Sequence, residues 1–159
     1  IANTQEGPSL AWDPQEGYGV AVADASADKL WYTHFLDTAH PNTPVPVFGS
    51  GSGGWWPSLA MDPVFHEPAI AFYVCGPTPG LNQTQCPAAT NELRVTQRVS
   101  GVWQEVTVDT EGGFLPQIAF FSSKGGAPPK RVVAYRVPVS KSSTGALNPG
   151  GVLKLAVEK

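Results

Sequence analysis

The sequence predicts an all-β fold of the propeller type, made of three antiparallel units of four short strands, the third incomplete. Three observations predict it. A phrase is written three times, as Gly7-Pro8-Ser9-Leu10-Ala11-Trp12-Asp13-Pro14, as Trp56-Pro57-Ser58-Leu59-Ala60-Met61-Asp62-Pro63 and as Leu115-Pro116-Gln117-Ile118-Ala119-Phe120. Pro8, Pro57 and Pro116 stand 49 and 59 residues apart, at or just beyond the roughly 40 to 50 residues of one propeller blade. The apolar runs between the phrases have strand length and no helical period. Finally, 17 Gly and 16 Pro in 159 residues punctuate the chain with turns.

Within each unit the runs come in one order. The phrase supplies the first strand, with small Ser9 and Ala11 alternating against large Leu10 and Trp12, and Ser58 and Ala60 against Leu59 and Met61. This alternation predicts two buried faces on each first strand, one small and one bulky, as stacked sheets about 10 Å apart require. Asp13-Pro14 and Asp62-Pro63 then predict a turn in which the Asp side chain accepts backbone N–H groups. The second strand is read in Val20-Ala21-Val22-Ala23-Asp24, Ala69-Ile70-Ala71-Phe72-Tyr73 and Val132-Val133-Ala134-Tyr135-Arg136. Val20 and Ala69 lie at the same distance from Pro8 and Pro57, which sets the expected register of the repeat.

The third strand is Leu30-Trp31-Tyr32-Thr33, Leu93-Arg94-Val95-Thr96 and Leu153-Lys154-Leu155-Ala156. A fourth is read in Val102–Val108 and, more weakly, in Val45-Pro46-Val47-Phe48, which Pro46 and the preceding Pro44 demote to an edge. Gly53-Gly54-Trp55 and Gly112-Gly113-Phe114 copy the connection into the next unit. The expected blades are residues 1–54, 55–113 and 114–159 of one domain. Three units fall short of the four to eight that close a propeller, so further blades are expected from other copies or from a further part of the chain, with Ile1–Gln5 a candidate outer strand.

Charged residues are 14% of the chain, hydrophobic ones 42% and the formal net charge −3, which predicts a folded, weakly charged, soluble protein. Nucleic acid is a poor fit, because the four arginines form no basic stripe interleaved with aromatics. No apolar run approaches the ~20 residues of a membrane span. Cys75 and Cys86 bracket a polar, turn-rich segment, which predicts a disulfide and with it a secreted, periplasmic or cell-surface setting. Two separate thiols are the alternative.

The Pro57–Asp62 phrase, followed by Pro68-Ala69-Ile70-Ala71-Phe72-Tyr73 and Leu93-Arg94-Val95-Thr96, resembles the repeats of bacterial β-propeller proteins of the sialidase-type (BNR or Asp-box-like) superfamily. The likeness covers nearly the whole chain. It implies the propeller fold rather than an activity, because propellers host many functions. The Asp-box itself, Ser-x-Asp-x-Gly-x-Thr-Trp, is absent.

Glycoside hydrolysis needs two carboxylates facing each other at roughly 5 to 10 Å. Glu16, Glu67, Glu105 and Glu111 are expected instead in turns or on an outer strand, so no catalytic residue is assigned. His34, His40 and His66 lack a metal-ligand spacing, and neither a metal nor a cofactor is expected. Ser9 and Ser58 lie within strands rather than nucleophile elbows. Exposed aromatics that stack on sugars or anchor a partner are the better candidates. The expected ligand-binding residues are Trp31, Tyr32 and Trp103, with Arg94 and Arg98, four apart on one strand face, as an anion site or an inter-blade pair. Trp55 and Phe114 recur at equivalent places, which predicts packing between blades. The variable loops Asp37–Ser52, Gly76–Thr90 and Ser140–Gly150, and the Asn82-Gln83-Thr84 glycosylation pattern, complete the candidates.

The expected function is a non-catalytic, extracytoplasmic module for protein or glycan recognition or for surface assembly. A fragment of a propeller glycoside hydrolase and a purely structural, self-assembling subunit are the alternatives.

Overall fold

Each predicted run is a strand in the computed structural model, which describes residues 7–24, 26–37, 42–81, 86, 90–122, 127–138 and 151–158. Strands β1 (Ser9–Asp13), β2 (Gly17–Asp24), β3 (Lys29–Phe35) and β4 (Val45–Phe48) form the first sheet in chain order. The second holds β5 (Ser52–Met61), β6 (Pro68–Gly76), β7 (Glu92–Val99) and β8 (Val102–Asp109), again in chain order. The third holds β9 (Phe114–Phe121), β10 (Lys130–Pro138) and β11 (Gly151–Val157). All pairings are antiparallel, and no helix occurs among the described residues. Ile1–Gln5 lie outside the described residues, as do residues 38–41, 82–85 and 87–89 of two variable loops and the whole of Ser140–Gly150.

The sheets pack face to face through two cores. Ala21, Leu30, Tyr32, Val47 and Phe48 of the first sheet meet Leu59, Ile70, Phe72 and Val74 of the second. On the other face of the second sheet, Ala69, Ala71, Leu93 and Val95 meet Ile118, Val133, Tyr135 and Val137 of the third. At both joints the first two strands offer small residues forward and bulky ones backward, so the faces interlock. A hydrogen bond fixes the same offset at both joints. Ser9 Oγ accepts from the Leu59 amide at 2.9 Å, and Ser58 Oγ accepts from the Ile118 amide at 3.0 Å. The strand serines are therefore rivets between sheets.

The connections into β5 and β9 are copies as well. Gly54 and Gly113 adopt φ of +79° and +129°, and a Cβ there would lie 3.0 Å from Leu30 Cβ and 2.6 Å from Leu93 Cβ. Trp56 and Leu115, two residues on, both sit in the left-handed region, at φ 50° and 49°. The kink brings Trp55 and Phe114 inward around Tyr73, with the Cys75–Cys86 disulfide alongside. Tyr73 stacks on both rings, at 5.9 Å from Trp55 and 4.6 Å from Phe114. The recurrence of Trp55 and Phe114 is thus explained by packing.

Two expectations are corrected. The register is set by strand pairs Leu10↔Val20, Leu59↔Ile70 and Ile118↔Val133, so Val20 is equivalent to Ile70 rather than Ala69. The cause is turn length. Asp13 pairs with Gly17 across Pro14, Gln15 and Glu16, whereas Asp62 bonds Glu67 across the longer Pro63–His66 turn. The second correction concerns β1, of which only the small face is covered. Leu10 and Trp12 are exposed, because among the described residues the first sheet has a neighbour on one side only.

Candidate functional site

The turns that join β1 to β2 and β5 to β6 emerge at one end of the stack, and the polar chemistry gathers there. Asp13 Oδ1 accepts from the amides of Gln15 and Glu16 at 2.8 and 3.0 Å, and Asp62 Oδ1 from those of Val64 and Phe65 at the same two distances. Both aspartates therefore act as turn caps. Asp13 is also clasped across the joint by His66, whose Nδ1 lies 2.9 Å from Oδ2. Burial alone would raise the Asp13 carboxyl, but the Glu16 and Gln15 amides and the His66 ring outweigh it and hold the group below the usual carboxylate range.

Beside this clasp, Glu16 bridges the two sheets, with Arg98 at 3.3 Å and His34 at 3.6 Å. Glu16 and His34 also form one wall of a cleft of about 300 Å³ lined by Gln15, Leu36, Asp37 and Asn42. Asn42 is pinned in place: its Nδ2 and its backbone N–H both donate to the His34 carbonyl at 3.0 Å, and its own carbonyl accepts from Thr33 Oγ1 at 2.6 Å. A second cleft of about 380 Å³ opens at the same end between the second and third sheets, with Asp62, Glu67, Gln97, Phe120 and Glu158 among its walls. Glu158 is held there by Arg131, with Oε1 at 2.6 Å from Nη2. That hydrogen bond outweighs partial burial and lowers its carboxyl below the usual range.

Of the five residues chosen from sequence, Tyr32, Trp103 and Arg98 come together in the first joint, where Trp103 pairs with Arg98 across β7 and β8 and packs on Tyr32, while Trp31 lies on the opposite face of β3. Tyr32 is buried in the first joint, and desolvation pushes its hydroxyl up to about 12. Trp103 packs edge-on against it at 5.3 Å, half-buried. Trp31 is half-buried, with Lys29 Nζ 5.5 Å from its ring centroid. Arg94 is engaged by Glu92 at 2.6 Å and Glu105 at 2.7 Å, and Arg98 by Glu16, the inter-sheet pairing that was its alternative reading. Of the remaining carboxylates, Glu67 accepts from the Gly101 amide and Glu111 from Lys154. His40 and the Asn82-Gln83-Thr84 pattern lie outside the described residues. Among the described residues no group of three His, Cys, Asp or Glu is placed to hold a metal, and no helix is long and apolar enough to cross a membrane.

Gln15, Leu36, Asp37 and Asn42 were not singled out from sequence. The available signal was position, since Asp37 opens one of the variable loops and Gln15 sits beside the Asp13-Pro14 turn. No family model and no curated protein matches this chain.

Proposed function

We propose that the chain is a non-catalytic, extracytoplasmic β-propeller module in which each sheet is one blade, and that it recognises an uncharged glycan in the cleft at the turn end of the first sheet. The observation that carries this reading is the lining of that cleft. Gln15, Glu16, His34, Asp37 and Asn42 present amide, carboxylate and imidazole groups to a shallow recess, with the apolar Leu36 beside them. Vicinal hydroxyls are bound by such mixed donors and acceptors, and a sugar's apolar face rests against a side chain such as leucine. Arg94 and Arg98 are neutralised by carboxylates, which favours a neutral ligand over an acidic sugar. The disulfide supports an oxidising, extracytoplasmic setting.

A glycan array followed by titration calorimetry tests the reading. A neutral oligosaccharide is expected to bind, with affinity falling at least tenfold in Asn42→Ala or Asp37→Ala. An array without hits, or binding indifferent to both changes, refutes it. A purely structural role is the second reading, favoured by the apolar outer faces of the first and third sheets.

A further inference from the structure

The strand registers allow the two buried joints to be compared, position by position, with the two outer faces. Leu10, Leu59 and Ile118 are equivalent through their partners Val20, Ile70 and Val133. Leu59 and Ile118 are 6% and 8% exposed, whereas Leu10 is 61% exposed. On the opposite face, Leu30, Leu93 and Leu153 are equivalent through Ala23, Tyr73 and Arg136. Leu30 and Leu93 are wholly buried, and Leu153 is 73% exposed. Tyr32, Val95 and Leu155 share a place opposite Ala21, Ala71 and Ala134. The first two are 2% exposed and Leu155 is 66% exposed. The first sheet thus shows outward the bulky face that elsewhere docks backward, and the third shows outward the small-stranded face that elsewhere docks forward.

From this complementarity we infer that the two outer faces are the halves of one interface, and that two copies of this chain stack head to tail, the third sheet of each on the first sheet of the other. The inference rests on the propeller reading above. Two copies bring six sheets, within the four to eight that close a ring, whereas three copies would bring nine. Gln117 occupies the place of Ser9 and Ser58 on the third sheet. Its side-chain amide donates from Nε2 to the Pro116 carbonyl at 2.9 Å and carries an oxygen acceptor on the strand face from which the serines accept the amide of the facing strand. A face of three to four strands, each about 20 Å long and ~4.8 Å from the next, has a footprint of ~300 to 400 Å². The two joints of a closed pair then approach the roughly 800 Å² per partner of a standard stable interface.

The test is the native mass of the unaltered chain by light scattering from low to high micromolar concentration, beside Leu10→Arg and Leu155→Arg, with circular dichroism confirming that each is folded. The expected result is a dimer at twice 16.8 kDa and monomers for each single variant, because either change spoils both joints of a closed pair. A monomer at every concentration overturns the proposal. So does a mass that grows without limit, or a dimer indifferent to both changes. Glycan binding by the monomeric variants is measured in parallel. A monomeric wild type that binds glycan removes the assembly and leaves the recognition reading. A dimer that each variant breaks but that binds no glycan does the reverse.

Discussion

Asp13 concentrates three roles in one carboxylate: it caps its own turn, it faces His66 across the joint, and it lies next to the cleft wall at Glu16. Its folded-state pKa is below the unfolded value of about 3.9. The sign follows from linkage: the stabilisation is fully present above that unfolded value and is lost as pH falls through the lower folded one. Asp109 and Glu158 are shifted the same way, so the thermal midpoint is expected to drop steeply below about pH 4. Asp13→Ala removes the two amide bonds and the clasp, and should cost about 2 to 3 kcal/mol at neutral pH. Melts of wild type and variant from pH 7 to 3 check this, and parallel curves would contradict the assignment. This role was legible, because an Asp-Pro turn is local chemistry. Tyr32 was not: its neighbours Leu30 and Trp31 are similarly apolar, and only the facing sheet determines which of these rings and chains it covers.

At the level of strands, Gly54 and Gly113 set how closely one sheet approaches the next. The contact at Gly113 is tighter, so Gly113→Ala is expected to destabilise by more than about 2 kcal/mol, through both the left-handed backbone and the collision with Leu93. Gly54→Ala, with 3.0 Å rather than 2.6 Å to its leucine, should cost less. Urea midpoints rank them, and the reverse order would mean that the kink is not what spaces the sheets. Strand existence and order were legible from the repeated phrases. The register was displaced by one because spacing from a proline counts turn residues as if they were strand, and the β5–β6 turn holds an additional residue. That residue belongs to the turn that carries His66 to Asp13, so the feature that misled the count also supplies the clasp.

Among the described residues each sheet leans on its neighbour, and only the second is covered on both faces. Strand β6 is buried from Pro68 to Gly76 and paired on both sides. Its amides should exchange most slowly in hydrogen-exchange mass spectrometry, and those of edge strands β4, β8 and β11 fastest. Uniform protection would show that the three sheets open as one unit. The exposure of Leu10 and Leu153 could not be read from sequence, since the same leucine in the same local pattern is buried at Leu59, Leu30 and Leu93. Burial there is decided by how many neighbours a unit has, which no single unit records.

The burial of β6 also has a consequence during synthesis. Its run from Ala69 to Cys75 is apolar and uncharged, the composition of a segment prone to cross-pairing between chains. Ala69 and Ala71 face the third sheet, whose first strand starts at Phe114, 38 residues beyond Gly76. At about 5 to 20 residues per second the ribosome delivers Phe114 some 2 to 8 s later. For those seconds the most apolar strand of the nascent chain shows a bare face to the cell, and whatever shields it then decides how much of the protein reaches the folded state.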